Sequence, residues 1–235
     1  MASIVPAGVL AVGMQLPVQS KSRTFREVWE DDADSSAIAA LARRADAAGF
    51  FYVAVSDHLV VPKPLDEHRL AVAGDSAGGN LAAAVALMAR DRNGPPLVYQ
   101  LLVYPVIDST ATRNDYPSKV DNATGYFLHT DSMEWYRAQY LSSDADGDEP
   151  YCSPNMATSL AGLPAACVVT AEYDPLRDEG EAYGAQLEAA GVDVVVHRAP
   201  GVFHGFFNMD AILDGAKVAQ RVAFDAMRPV LHGDA

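Results

Sequence analysis

The 235-residue sequence predicts an α/β fold, a mostly parallel sheet flanked by helices. Two stretches carry that prediction. In the first, an apolar run at residues 8–16 (G-V-L-A-V-G-M-Q-L) is followed by a helical pattern at 35–48 and a second apolar run at 50–55. In the second, a short apolar run at 70–73 breaks at Gly74-Asp75-Ser76-Ala77-Gly78-Gly79, and an alanine-rich helical pattern begins near Asn80. Half of the chain is hydrophobic and a fifth is charged, enough for a substantial core.

Taken in order, the first elements form a β-α-β unit. Residues 17–34 are polar and irregular, which suits a loop. In 35–48, Ile38, Leu41, Ala42 and Ala45 share one helical face, while Arg43, Arg44 and Asp46 fall at polar positions. Asp34 or Ser35 can cap that helix and Gly49 can end it. The rules for such crossovers make the two flanking strands parallel neighbours or near-neighbours. Residues 56–69 are short and marked by Pro62 and Pro64, leaving little room for another crossover helix, so a seam is expected there.

The next strand–turn–helix, at 69–87, has the shape of a nucleophile elbow. So sharp a turn strains its serine, and side chains two residues on either side should collide with their neighbours. The helix that follows points its free N–H groups and positive dipole end at that serine. Residues 109–149 form a long insert with Tyr116, Tyr126, Phe127, Trp135, Tyr136 and Tyr140, and a helix should start near Thr130-Asp131. The acidic run at 144–149 departs from a calcium loop, because its glycine is fourth rather than sixth and its twelfth position is Asn155. A solvated loop is expected there.

The totals exclude several functions. A formal charge of −14, with 31 acidic against 17 basic residues, argues against nucleic acid and anionic membrane as partners. Cys152 and Cys167 are the only cysteines, too few for a disulfide framework or a zinc site, which suits a reducing cytoplasm. Residues 1–16 are apolar but lack a basic start and are broken by Pro6, Gly8 and Gly13, so they read as a strand rather than a signal peptide. No apolar run approaches the ~18 residues of a membrane span.

Two resemblances follow from these motifs. V-G-M-Q-L-P, L-A-R-R-A-D-A-A-G-F and V-S-D-H-L-V-V-P, within residues 12–62, resemble the opening β-α-β of luciferase-like flavin or deazaflavin (F420) monooxygenases. That resemblance implies the start of a TIM barrel with Asp57 and His58 near a cofactor. The rest of such a barrel is absent, so its activity is not carried over, and Asp57 and His58 can simply end a strand. From His68 onward the chain resembles the bacterial hormone-sensitive-lipase branch of the α/β-hydrolases. The motifs are A-V-A-G-D-S-A-G-G-N-L (71–81), L-L-V-Y-P-V-I-D (101–108), Y-C-S-P (151–154), E-Y-D-P-L-R-D-E-G (172–180) and G-V-F-H-G-F (201–206). The resemblance implies a single α/β-hydrolase domain over 1–235, N-terminally truncated or chimeric. The luciferase-like segment (1–65) would replace the hydrolase N-terminal strands, and 66–235 would form the catalytic portion. It also implies that the aromatic insert lines the acyl or alcohol side of a pocket.

A serine hydroxyl is a poor nucleophile unless a base takes its proton, and the base must be oriented by an acid. In this fold the order is serine, acid, histidine, here Ser76, Asp174 and His204. Asp174 follows the apolar strand 166–170 by a short loop. His204 follows the strand 192–197 by a loop containing Pro200 and Gly201. Both therefore lie beyond strand C-terminal ends, where open α/β sheets place their sites. Asp178 competes with Asp174 but suits a helix cap, and Asp75 should point away from the serine. Among the histidines, His197 lies within a strand, and His68, His129 and His232 lack matching context.

The family's H-G-G-G loop, which implies half of the oxyanion hole, is missing from the sequence. The Ala77 backbone N–H supplies the other half. The loop after Leu16 would stand in the missing place, with Gln19 or a backbone N–H there as donor. Such a truncated chain should have an open site suited to short-chain esters. The expected function is a cytoplasmic serine carboxylesterase acting on a small-molecule ester through an acyl-enzyme, with no metal or organic cofactor. A homo-oligomer, in which a second copy completes the sheet, stays open. The alternative is an inert fusion remnant serving as a binding or assembly module.

Overall fold

A computed structural model describes residues 14–15, 53–55, 58–60 and 70–232, in two compact units, Met1–His68 and Arg69–Ala235. In the first unit, β1 (Met14–Gln15) and β2 (Val53–Val55) pair in parallel, with Met14 opposite Val53. That is the pairing expected of a β-α-β unit. The expected loop at 17–34 with Gln19, the helix at 35–48, Asp57 and His68 lie outside the described residues. One strand was not expected. His58–Val60 forms β3 and runs antiparallel to β2, Val55 facing His58. A (β/α) barrel would continue with a helix and another parallel strand, so β3 departs from the barrel opening.

The second unit begins with β4 (Leu70–Asp75), α1 (Ala77–Asp91) and β5 (Leu97–Val103). The insert holds a short α2 (Pro117–Asp121) and α3 (Thr130–Tyr140), the latter starting where the sequence predicts. Next come β6 (Ala165–Tyr173), α4 (Arg177–Ala189), β7 (Val194–Phe203) and α5 (Asp214–His232). The four strands are all parallel, in the order β4-β5-β6-β7. Their C-terminal ends therefore share one edge of the sheet.

A parallel sheet covered on both faces reads as continuous apolar runs, and the two-residue period decides which side chain meets which layer. On one face Val72, Leu102 and Val168 pack with Leu87 of α1 and with Tyr183 and Leu187 of α4. On the other, Tyr99, Leu101, Val103, Cys167 and Val169 pack against Ala216, Ala219 and Ala223 of α5. Small side chains at the contact let helix and sheet approach closely, and Ala82, Ala83 and Ala86 of α1 are buried for the same reason. Among the described residues, no helix is long and apolar enough to cross a membrane.

Candidate active site

Ser76 sits between β4 and α1 with φ 56° and ψ −120°, a backbone conformation that a serine adopts only under constraint. The helix begins at Ala77, three residues earlier than the sequence pattern suggests. The constraint comes from both sides of the turn. The Ser76 N–H donates to the Val103 carbonyl at 2.9 Å, and the Ser76 carbonyl accepts the Val106 N–H at 3.1 Å. Asn80, buried in α1, donates its amide to the carbonyls of Val106 and Cys152, at 3.0 and 2.8 Å.

The glycines divide the steric work differently from the expectation. A Cβ on Gly74 would lie 2.1 Å from the Gly78 carbonyl oxygen, so position 74 admits glycine alone. A Cβ on Gly78 would meet nothing within 4 Å, which corrects the expected collision on that side. The close approach occurs one residue later, where a Gly79 Cβ would come within 2.8 Å of the Pro105 side chain. Ser76 makes no side-chain cap, and first-turn amides have no partner within a helix, so the Ala77 N–H is available beside the hydroxyl.

The acid and base arrive on the neighbouring strands. Both strands run further than the sequence reading allows. β6 extends to Tyr173, directly before Asp174, and β7 passes through Pro200 and Gly201 to Phe203, directly before His204. The expected loops are replaced by an irregularity in the ladder between Ala171 and Tyr173, and by Gly201 at φ 72°. Pro200 is tolerated because β7 is the edge strand of the described sheet and need not donate there. The Gly201 N–H donates to the Glu172 carboxylate at 2.7 Å, which pins the two strand ends together.

The three side chains form one line. His204 Nδ1 lies 2.7 Å from Asp174 Oδ2, and His204 Nε2 lies 2.9 Å from Ser76 Oγ. Asp174 is fully buried and His204 nearly so. The other Asp174 oxygen accepts the Leu176 N–H at 2.9 Å. An ionised carboxylate only accepts, so Nδ1 carries the ring proton and Nε2 is left to accept the serine proton. Of the competitors, Asp178 bonds Arg177 and the Ser118 N–H, His197 lies in β7, and His129 is an exposed residue preceding α3.

Side chains distant in sequence hold the acid loop. Asn122 donates to the Asp174 carbonyl at 3.2 Å, and Ser118 Oγ donates to the Pro175 carbonyl at 2.8 Å. Lys119 and Glu179 form a buried ion pair at 2.6 Å, with side-chain exposures of 3% and 0%. Glu179 also accepts the Ile107 and Asp108 N–H groups. Burial pushes its carboxyl above the usual range, against the pull of Lys119 and those two donors. Glu179 belongs to the quoted E-Y-D-P-L-R-D-E-G stretch, so its motif was visible although its partner was not.

The aromatic insert splits in three, with Tyr116 donating to Asp108 Oδ2 at 3.1 Å. Tyr126 stacks on Tyr173 with centroids 4.9 Å apart, and Phe127 lies 6.3 Å from Phe203, so both reach the strand ends that carry Asp174 and His204. Trp135, Tyr136 and Tyr140 of α3 are exposed. The acidic run is a single 3₁₀ turn, Asp144–Asp148, closed by a Ser143–Asp146 capping box, with Asp144 paired to Arg137. Among the described residues, no cluster of histidine, cysteine or acidic side chains is arranged to hold a metal ion. Cys152 and Cys167 are free and buried, and burial pushes the Cys167 thiol up to about 12.

A parallel sheet with a strained serine at a strand–helix turn, and a histidine and acid at the ends of later strands, defines an α/β-hydrolase. Comparison agrees. The model of a family described as the alpha/beta hydrolase fold matches residues 35–208, and the chain belongs to that family, in its hormone-sensitive-lipase-like esterase branch. The match begins inside the segment with the luciferase-like motifs. Esterase LipI of Mycobacterium tuberculosis is 42% identical over 169 residues, covering 72% of this chain and 52% of that protein. An ethyl acetate hydrolase of Pseudomonas putida is 37% identical over 166 residues, covering 70% of this chain and 51% of that protein. The crystal structure of a thermostable esterase from Pseudomonas putida superposes with a TM-score of 0.65 at 42% identity, over 69% of this chain and 51% of that one. The chain thus spans about half the length of the curated relatives it matches.

Proposed function

We propose that the protein is a serine carboxylesterase that hydrolyses short-chain esters through an acyl-enzyme. The observation that carries this reading is the contact line from Asp174 through His204 to Ser76, at 2.7 and 2.9 Å. Ser76 Oγ attacks the ester carbonyl as its proton moves to His204 Nε2. The tetrahedral oxyanion is held by the Ala77 N–H, and Asp174 stabilises the imidazolium. Collapse breaks the ester C–O bond, and the alkoxide leaves with the proton from Nε2. Water then attacks the acyl-serine, again giving its proton to Nε2; collapse breaks the acyl C–Oγ bond, Nε2 returns the proton to Ser76 Oγ, and the carboxylic acid departs. The names of the relatives, an ethyl acetate hydrolase among them, support a short acyl group. Two free, buried thiols suit a reducing cytoplasm.

The second oxyanion donor belongs to the same proposal. The sequence makes Gln19 or a backbone N–H of its loop the candidate donor, and these positions lie outside the described residues. The parallel pairing of β1 with β2 supports a β-α-β unit there. The family match from residue 35 counts against a purely luciferase-like origin for 12–62. One observation favours the second reading, an inert remnant used for binding or assembly: the sequence has no H-G-G-G. Hydrolysis of 4-nitrophenyl acetate by wild type and Ser76→Ala decides between them. The esterase reading expects turnover that Ser76→Ala abolishes. Turnover at wild-type level in that variant rejects Ser76, and none in wild type favours the remnant.

A further inference from the structure

We propose that Tyr104 is a positioning residue of the triad, a brace that holds the nucleophile elbow and the histidine loop at a fixed separation. The inference rests on the esterase reading above and adds a residue to it. Tyr104 follows the last residue of β5 and has φ 33°, in the left-handed region that bulky side chains avoid. Its backbone is held there by a 2.6 Å hydrogen bond from its N–H to the Val169 carbonyl of β6. A bulky residue kept in so unfavourable a conformation is fixed by its surroundings rather than by local preference.

The surroundings are the two loops that must meet. The Tyr104 ring is almost fully buried, and its centroid lies 4.6 Å from that of His204, tilted by 52°. Its other neighbour is Phe206, edge-on at 5.8 Å. The phenol donates to Asp75 Oδ2 across a long 3.4 Å contact. Asp75 immediately precedes the nucleophile, while the ring itself rests on the base, His204, and on Phe206 two residues beyond it. The Asp75 carboxylate is one end of the brace. A phenylalanine would fill the same space, so the hydroxyl is the informative atom. Its partner, Asp75, ends β4 directly before Ser76, so the hydroxyl ties the ring that packs on His204 to the nucleophile elbow.

The expected effect follows from distance. Proton transfer needs the 2.9 Å Ser76–His204 contact, and a misplacement of about 1 Å costs ~10²-fold in rate. Tyr104→Phe keeps the ring and removes the hydroxyl; Tyr104→Leu removes both. With 4-nitrophenyl acetate, Tyr104→Phe should lower kcat about 10-fold and Tyr104→Leu about 100-fold, with KM held within about twofold. Fluorophosphonate labelling of Ser76 should slow in step, because it uses the triad without the substrate pocket. Asp75→Asn should lower kcat, and Tyr104→Phe/Asp75→Asn should be no slower than Tyr104→Phe, since the two groups act through one contact.

If both tyrosine variants keep kcat within about twofold, the brace is wrong. It is equally wrong if active-site titration shows wild-type turnover in whatever fraction remains folded. Should Tyr104→Leu fail to fold, Tyr104→Phe and the double variant decide alone. A wild type with neither hydrolysis nor labelling overturns the esterase reading and the brace with it. An active wild type with unaffected variants overturns the brace only.

Discussion

Replacing Lys119 by methionine leaves Glu179 in the core without its cation. The pair is 2.6 Å apart with both side chains buried, so the loss is of the buried-pair kind, about 3–5 kcal/mol, rather than the 0–1 kcal/mol of a surface pair. The Ile107 and Asp108 N–H donors, at 2.7 and 3.3 Å, remain on Glu179 and partly solvate it. That places the expected loss at the lower end, about 3 kcal/mol, a large share of a domain stability of roughly 5–15 kcal/mol. The loss should depend on pH, with a defined sign. Burial already raises the Glu179 carboxyl, and without Lys119 it rises further. Above the unfolded value of about 4.3, the folded state then keeps a proton that the unfolded state has released, so stability falls as pH rises toward the folded value. Urea unfolding should therefore show a larger deficit at pH 8 than at pH 5. Lys119→Met/Glu179→Gln removes both charges and keeps an acceptor for Ile107, so it should recover to within about 1 kcal/mol of wild type. A single-variant loss under about 1 kcal/mol, equal at both pH values, would refute the reasoning.

Other perturbations test the site more locally. Gly74→Ala should abolish soluble, folded protein, because its methyl group lands on the Gly78 carbonyl, while Gly78→Ala should keep a near-native melting temperature; equal behaviour of the two would contradict the elbow packing. Asp174→Asn should lower kcat by ~10⁴ while leaving the circular dichroism spectrum unchanged, because an amide can hold the wrong imidazole tautomer. With the Cys167 thiol held at about 12 and both cysteines buried, iodoacetamide at pH 8 should label neither in the native state and both in urea, as mass spectrometry would show.

What the sequence revealed and what it concealed have a common physical basis. The placement of Ser76, Asp174 and His204 at one edge was legible because each follows an apolar run that a parallel sheet must bury. Helix α3 was legible at its start from its local pattern. Strand ends were not. β7 continues through Pro200-Gly201, two residues that ordinarily stop a strand, because an edge position tolerates the proline and a positive φ absorbs the kink. The strand β3 was hidden in a stretch dominated by Pro62 and Pro64. Lys119–Glu179 and Asp75–Tyr104 join residues 60 and 29 positions apart, and no local pattern encodes such pairs. Glycine spacing suggested a symmetric clash around Ser76, yet only the backbone path shows that position 74 is closed and position 78 open.

The most direct test is covalent. Wild-type protein treated with a fluorophosphonate, digested and mapped by mass spectrometry should carry one adduct, on Ser76. The adduct should be lost in Ser76→Ala and form far more slowly in His204→Ala, since His204 Nε2 is the atom 2.9 Å from the hydroxyl. An unlabelled wild type, an adduct on another residue, or labelling of Ser76 that does not depend on His204 would contradict the account.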